Sequence, residues 1–228
     1  ASDPRIAEAR ALALAGMDGL DEFRLADLLS HPARRLRLMA QTELAERKAV
    51  EALAGVARYE NATIPRIHAL WGLGHVARIE AARNRRIDAA MAPVLAALDD
   101  PDPEVRAQAA KVLGDPAHGK ATEALITALA DENARVRYHA AMSLGAIGDP
   151  ESTPYLAAML AANDDQDRFL RHAGIVALAR IGDRDAIEEM ASSPAPSLRR
   201  AAVLAMRRLG DPAIERLLYD DDVSIRTE

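Results

Sequence analysis

The chain has 228 residues and a formal charge of -6, so it lacks the excess of lysine and arginine that a sequence-independent grip on nucleic acid phosphates needs. It contains no cysteine, which excludes disulfides, thiolate metal sites and haem attachment through Cys-x-x-Cys-His within this segment. Half the residues are apolar but only 3% are aromatic, a balance that favours closely packed helices over strands, and no apolar run approaches the roughly 18 residues of a membrane span. An all-α chain without membrane insertion is expected, and no signal-peptide pattern is visible.

The elements follow in chain order from one recurring block: an aliphatic residue (position 0), then Arg, then small or apolar residues at positions 4 and 8. A leading helix is predicted at about 4 to 15. Six helix pairs follow, at about 20 to 46, 47 to 80, 86 to 114, 120 to 147, 152 to 181 and 184 to 209. In each pair helix A is an apolar-periodic segment and helix B carries the block. The block Arg residues are Arg37, Arg66, Arg106, Arg137, Arg171, Arg199 and Arg226, spaced 27 to 40 residues apart. A repeat of that length predicts a solenoid, read here as one array over 1 to 228.

Turn chemistry marks the boundaries. Asp102-Pro103, Asp149-Pro150 and Asp211-Pro212 each supply a capping carboxylate and a proline at the first helical position. Gly148, Gly182 and Gly210 are placed as left-handed helix stops. Helix A of a seventh pair is predicted at about 212 to 219, and its helix B reaches only the first turn before Glu228. That unfinished repeat, with no polar cap, predicts a fragment of a longer chain.

These blocks, notably Asp100-Pro-Asp-Pro-Glu-Val-Arg106 and Leu144-Gly-Ala-Ile-Gly-Asp-Pro150, resemble HEAT repeats of the short bacterial type related to the phycobilisome-lyase repeats. The resemblance implies an α-solenoid of about six complete helix pairs plus partial units at both ends. It leaves activity open, since scaffolds, lyases and hydroxylases share the fold. Residues 25 to 78, through Leu28-Leu-Ser-His-Pro-Ala-Arg-Arg-Leu-Arg37 and Arg66-Ile-His-Ala-Leu-Trp-Gly-Leu-Gly74, are similar to the helical segment of bacterial secreted proteins that fuse a β-propeller dehydrogenase-like domain, HEAT repeats and a cytochrome c domain. That likeness implies a periplasmic or extracellular module with redox chemistry elsewhere; otherwise the chain is expected to be cytoplasmic.

No catalytic or metal constellation emerges. The HEAT-repeat enzymes that hold a di-iron centre use His-Glu dipeptides, whereas His31, His68, His75, His118, His139 and His172 are followed by Pro, Ala, Val, Gly, Ala and Ala. The clusters Asp99-Asp100-Asp102, Asp164-Asp165-Asp167 and Asp220-Asp221-Asp222 fall in turns between helices A and B, where carboxylates cap helices, and they lack the glycine and distal glutamate of an EF-hand. Neither phosphate-loop nor nucleophile-elbow glycine patterns occur. The block arginines follow Glu60, Asp100, Asp131, Asp165 and Asp220 by six residues, which predicts an ion-pair ladder within or between repeats.

At about 100° per residue, positions 0, 4, 8 and 11 of helix B share one face toward helix A. Positions 2, 6 and 9 point away, toward the surface that lines the concave side of HEAT solenoids. They hold Leu38, Ile67, Trp71, Lys111, Tyr138, Met142, His172, Val176, Arg200, Leu204 and Arg207, too apolar for a purely solvated face. The stripe predicts a partner-binding surface for a protein or for neighbouring domains of the same parent chain. The expected function is a non-enzymatic interaction scaffold or inter-domain spacer without cofactor. The alternatives are a helical module of the secreted fusion proteins and a chromophore-lyase-like chaperone.

Overall fold

The computed structural model describes residues 4–114 and 119–228 and contains helices only among them. The chain divides into two compact units, 1–116 and 117–228. In the first, α1 (Pro4–Ala15) precedes three pairs: α2 (Glu22–Leu28) with α3 (Arg34–Glu46), α4 (Val50–Tyr59) with α5 (Thr63–Ala81), and α6 (Asp88–Ala96) with α7 (Pro103–Gly114). In the second, α8 (Thr122–Ala128) pairs with α9 (Ala134–Ile147), α10 (Thr153–Asn163) with α11 (Arg168–Ile181), and α12 (Arg184–Met190) with α13 (Pro196–Leu209). The six pairs are the α-solenoid class expected from the repeat. One detail differs: the seventh helix A, Pro212–Tyr219, is a 3-10 helix. Its partner α14 (Val223–Arg226) is a single turn of four residues, as expected.

Packing follows the block. Val105, Ala109 and Leu113 on α7 are fully buried, as are Val136, Ala140 and Leu144 on α9. Leu36, Ala40 and Leu44 do the same on α3. Positions 0, 4 and 8 are therefore the core face of helix B, each large aliphatic contributing about 1.5 to 3 kcal/mol by leaving water. Helix A contributes Leu25 and Leu28, Leu53, Met91 and Val94, Leu125, Leu156 and Leu160, and Ile187 in turn.

The caps are made by the residues expected to make them. Asp102, Asp149 and Asp211 accept the backbone N–H two residues on, at 2.9, 3.0 and 3.0 Å. Gly148 ends α9 at φ 77°, a conformation that costs an L side chain strain, and its N–H returns to the Leu144 carbonyl at 2.9 Å. Gly182 and Gly210 end α11 and α13 in the same left-handed region. The widest step in the repeat, from Arg66 to Arg106, comes from the 19-residue α5 and the exposed turn after it.

Candidate partner-binding surface

The block arginine fixes the turn between helices A and B. Nη1 of Arg37, Arg106, Arg137 and Arg199 donates to the carbonyls six and five residues upstream. These are His31 and Pro32 (2.8 and 2.9 Å), Asp100 and Pro101 (2.9 and 3.3 Å), Asp131 and Glu132 (2.7 and 3.0 Å), and Ser193 and Pro194 (3.0 and 3.1 Å). Arg226 repeats the first bond, to Asp220, at 2.6 Å. The guanidinium thus satisfies backbone acceptors that helix A leaves open at its end.

The ion-pair ladder expected within or between repeats forms in part, and mainly between them. Asp100, Asp131 and Asp220 turn Oδ1 onto the N–H of Asp102, Asn133 and Asp222, each at 2.8 Å. Arg171, following a turn with Asp164 and Asp165 at positive φ, pairs within its repeat, at 3.5 Å from Asp165. Pairing between repeats is the stronger theme: Arg66 reaches Asp100 at 2.5 Å and Arg199 reaches Asp220 at 2.7 Å.

In the first unit the outward face of the B helices carries a polar thread. Arg37 Nε donates to His68 Nε2 at 3.1 Å, so the neutral ring donates from Nδ1 to Gln41 Oε1 at 2.7 Å. Burial, reinforced by the charges of Arg37 and Arg34, lowers the His68 pKa to about 4. Trp71 stands edge-on to His68, 5.2 Å between ring centres, and its indole N–H donates to Gln108 at 3.0 Å. Trp71 remains half-buried and Leu38 is exposed, as is Lys111. Ile67 does not belong to an open surface: packing between helices leaves it 9% exposed.

In the second unit Tyr138, Met142 and Leu204 are part-exposed and His172 and Arg207 are exposed. Val176 is buried. Arg200 is committed to structure, bridging Asp165 and the Ser224 hydroxyl. Position 9 also departs from expectation at two glycines. A Cβ on Gly74 would meet Val112 at 2.8 Å, and one on Gly145 would meet the Ala177 Cα at 2.6 Å. These positions serve close helix approach, because neighbouring B helices flank this side more widely than an isolated helical wheel shows.

Two further residues of this surface carry no signal in the repeat pattern. Gln108 gives no sign in the sequence of its bond to Trp71. Phe169, at position -1 of α11, is 62% exposed on the same face as positions 2 and 6; extending the wheel one residue toward the N-terminus, to about 260°, would have included it. Among the described residues no group of three His, Asp or Glu is arranged to hold a metal ion, and no helix is long and apolar enough to cross a membrane. His118 lies outside the described residues.

Successive helix pairs, most of them closed at the turn by the block arginine and buried along one face of helix B, define an α-solenoid of helical repeats. Residues 91–179 match the family model for HEAT repeats, so that stretch is built of them. Among solved structures, the chain is similar to the complex of CpcE and CpcF of phycocyanin lyase from Nostoc sp. PCC7120, at 26% identity and a TM-score of 0.55 over 78% of this chain and 73% of that one. It is also similar to an engineered protein (20% identity, TM-score 0.53, covering 84% and 97%). A third likeness is to a designed armadillo repeat protein in complex with the peptide (KR)4 (18%, 0.51, covering 83% and 100%). No curated protein matches significantly. None of these likenesses bears on the secreted fusion proteins that residues 25 to 78 resemble.

Proposed function

We propose that this chain is a non-enzymatic protein-interaction scaffold that binds through the outward face of its B helices. One observation carries the reading. While positions 0, 4 and 8 are sealed, large side chains at positions 2 and 6 stay accessible in both units: Leu38 at 37% exposure, with Trp71, Tyr138, Met142 and Leu204 part-exposed. Accessible apolar and aromatic groups between charged ones mark interaction surfaces. The repeat fold itself supports an interaction role, as in the designed armadillo protein that holds a peptide. The test is selection of displayed random peptides on the full chain, followed by affinity measurement on Trp71→Ala and Tyr138→Ala. The reading expects selected peptides to lose about tenfold or more on one of these variants. Equal affinity for wild type and both variants would count against it.

A second reading, a chromophore-lyase-like chaperone, draws on the 26% identity to the phycocyanin lyase complex. Incubation with a bilin tests it through the visible spectrum. An unshifted spectrum would dismiss it.

A further inference from the structure

In the second unit the first turns of α9 and α11 enclose a recess of about 450 Å3 lined by Ala134, Arg135, Tyr138, His139, Asp167 and Phe169. Its walls are aromatic. Phe169 is 62% exposed, and Tyr138 meets the His139 ring edge-on at 5.2 Å between centres. Arg168 lies over the Phe169 ring, its guanidinium carbon 4.8 Å from the centroid, and has no carboxylate partner among the described residues. The one carboxylate lining the recess, Asp167, is turned into the start of α11, where Oδ1 accepts the N–H of Phe169 at 2.8 Å and of Leu170 at 3.2 Å.

The combination is unusual within this chain. Position -1 is Arg35, Glu104, Arg135, Ser197 and Ser224 in other B helices, and apolar only at Ile64 and Phe169. An exposed phenylalanine forgoes most of the stabilisation that burial would give it. Here it forms a flat apolar platform and holds the Arg168 guanidinium over its ring, which reduces the freedom that Arg168 would lose on binding. Arg168 thus sets a cation without a carboxylate partner beside the recess, although the chain carries -6 overall.

We propose that this recess binds an acidic peptide segment in which a Glu or Asp adjoins an aromatic or large aliphatic residue. The apolar side chain packs over Tyr138 and Phe169, and the neighbouring carboxylate accepts the two N–H groups of the Arg168 fork. The proposal rests on the scaffold reading above and gives it a partner chemistry.

The test measures fluorescence anisotropy of labelled Asp-Glu-Phe-Asp-Glu-Leu against the full chain at low salt, beside a Lys-Lys-Phe-Lys-Lys-Leu twin and a labelled single-stranded oligonucleotide. The acidic probe is expected to bind at least about tenfold tighter than either competitor and to weaken as salt rises. Arg168→Glu and Phe169→Ser should each weaken it about tenfold, with melting temperatures unchanged because both side chains are exposed. Equal binding of the basic twin, tighter binding of the oligonucleotide, or an acidic probe indifferent to both substitutions would overturn the proposal. If displayed peptides respond to Trp71→Ala while the acidic probe ignores the recess variants, the recess assignment falls and the scaffold reading stands; if no peptide binds anywhere on the chain, both fall.

Discussion

Arg199 donates from Nε to the Asp220 carboxylate at 2.7 Å while its Nη1 holds the Ser193 carbonyl at 3.0 Å. One side chain thus closes its own turn and ties it to the turn of the following repeat. Arg226 makes the same turn bond from an exposed position. Arg199→Ala should cost about 2 to 4 kcal/mol, because two backbone acceptors and a nearly buried carboxylate lose their donor together. Arg226→Ala should cost less than about 1 kcal/mol. Urea denaturation of the two variants checks the ranking.

Arg199 also holds the Asp220 carboxyl below the usual carboxylate range, and the Asp222 N–H adds to the effect. A depressed folded-state pKa stabilises the fold above the unfolded value near 4, and the contribution is lost as pH falls through the folded value. Asp220→Asn should therefore flatten the loss of stability below about pH 4 relative to wild type. Acid titration followed by circular dichroism measures it.

His68 acts in the same direction at higher pH. Its folded pKa of about 4 lies below the ordinary histidine value of 6.5, so its neutral form contributes fully above 6.5 and the contribution fades between 6.5 and 4. Wild type should lose about 2 kcal/mol between pH 7.5 and pH 5 from this group. His68→Gln should be less stable at pH 7.5 but lose less on acidification, as denaturant midpoints at the two pH values would show.

Gly145 and Gly55 make opposite predictions for the same substitution. Gly145→Ala places a methyl 2.6 Å from the Ala177 Cα, where only backbone can give way, and should cost about 2 to 3 kcal/mol. Gly55→Ala meets nothing within 4 Å on α4 and should stabilise by about 0.5 to 1 kcal/mol. Thermal melting of the pair is decisive.

The contrast between those glycines shows how far the sequence could be read. Val105, Ala109 and Leu113, the capping Asp149 and the stop at Gly148 were legible because each encodes a local preference that recurs at a fixed spacing. The burial of Ile67 and the tight approach at Gly145 were not, because they depend on where the adjacent B helix lies, which a wheel drawn for one helix omits. Arg137 was legible as structural but not in its partner: the chain displays Asp131 as a side chain, whereas the bond is to its carbonyl. Phe169 lies one residue outside the recurring block, so the repeat pattern carries no signal for it. Arg200 sits at position 2 of the outward face, but its partners Asp165 and Ser224 come from other repeats, which the spacing within one helix does not encode.

Arg137 and Tyr138 are consecutive residues of α9 that serve different purposes on this account, the first fixing the turn and the second facing a partner. The most direct measurement is therefore the unfolding free energy of Arg137→Ala and Tyr138→Ala, together with each variant's affinity for a peptide selected on the wild type. Arg137→Ala should lower stability by about 1 to 3 kcal/mol and leave the affinity of the folded protein within about twofold, while Tyr138→Ala should change stability less and weaken binding about tenfold. Weakened binding in Arg137→Ala with full affinity in Tyr138→Ala would contradict the division between a structural arginine and a functional neighbour.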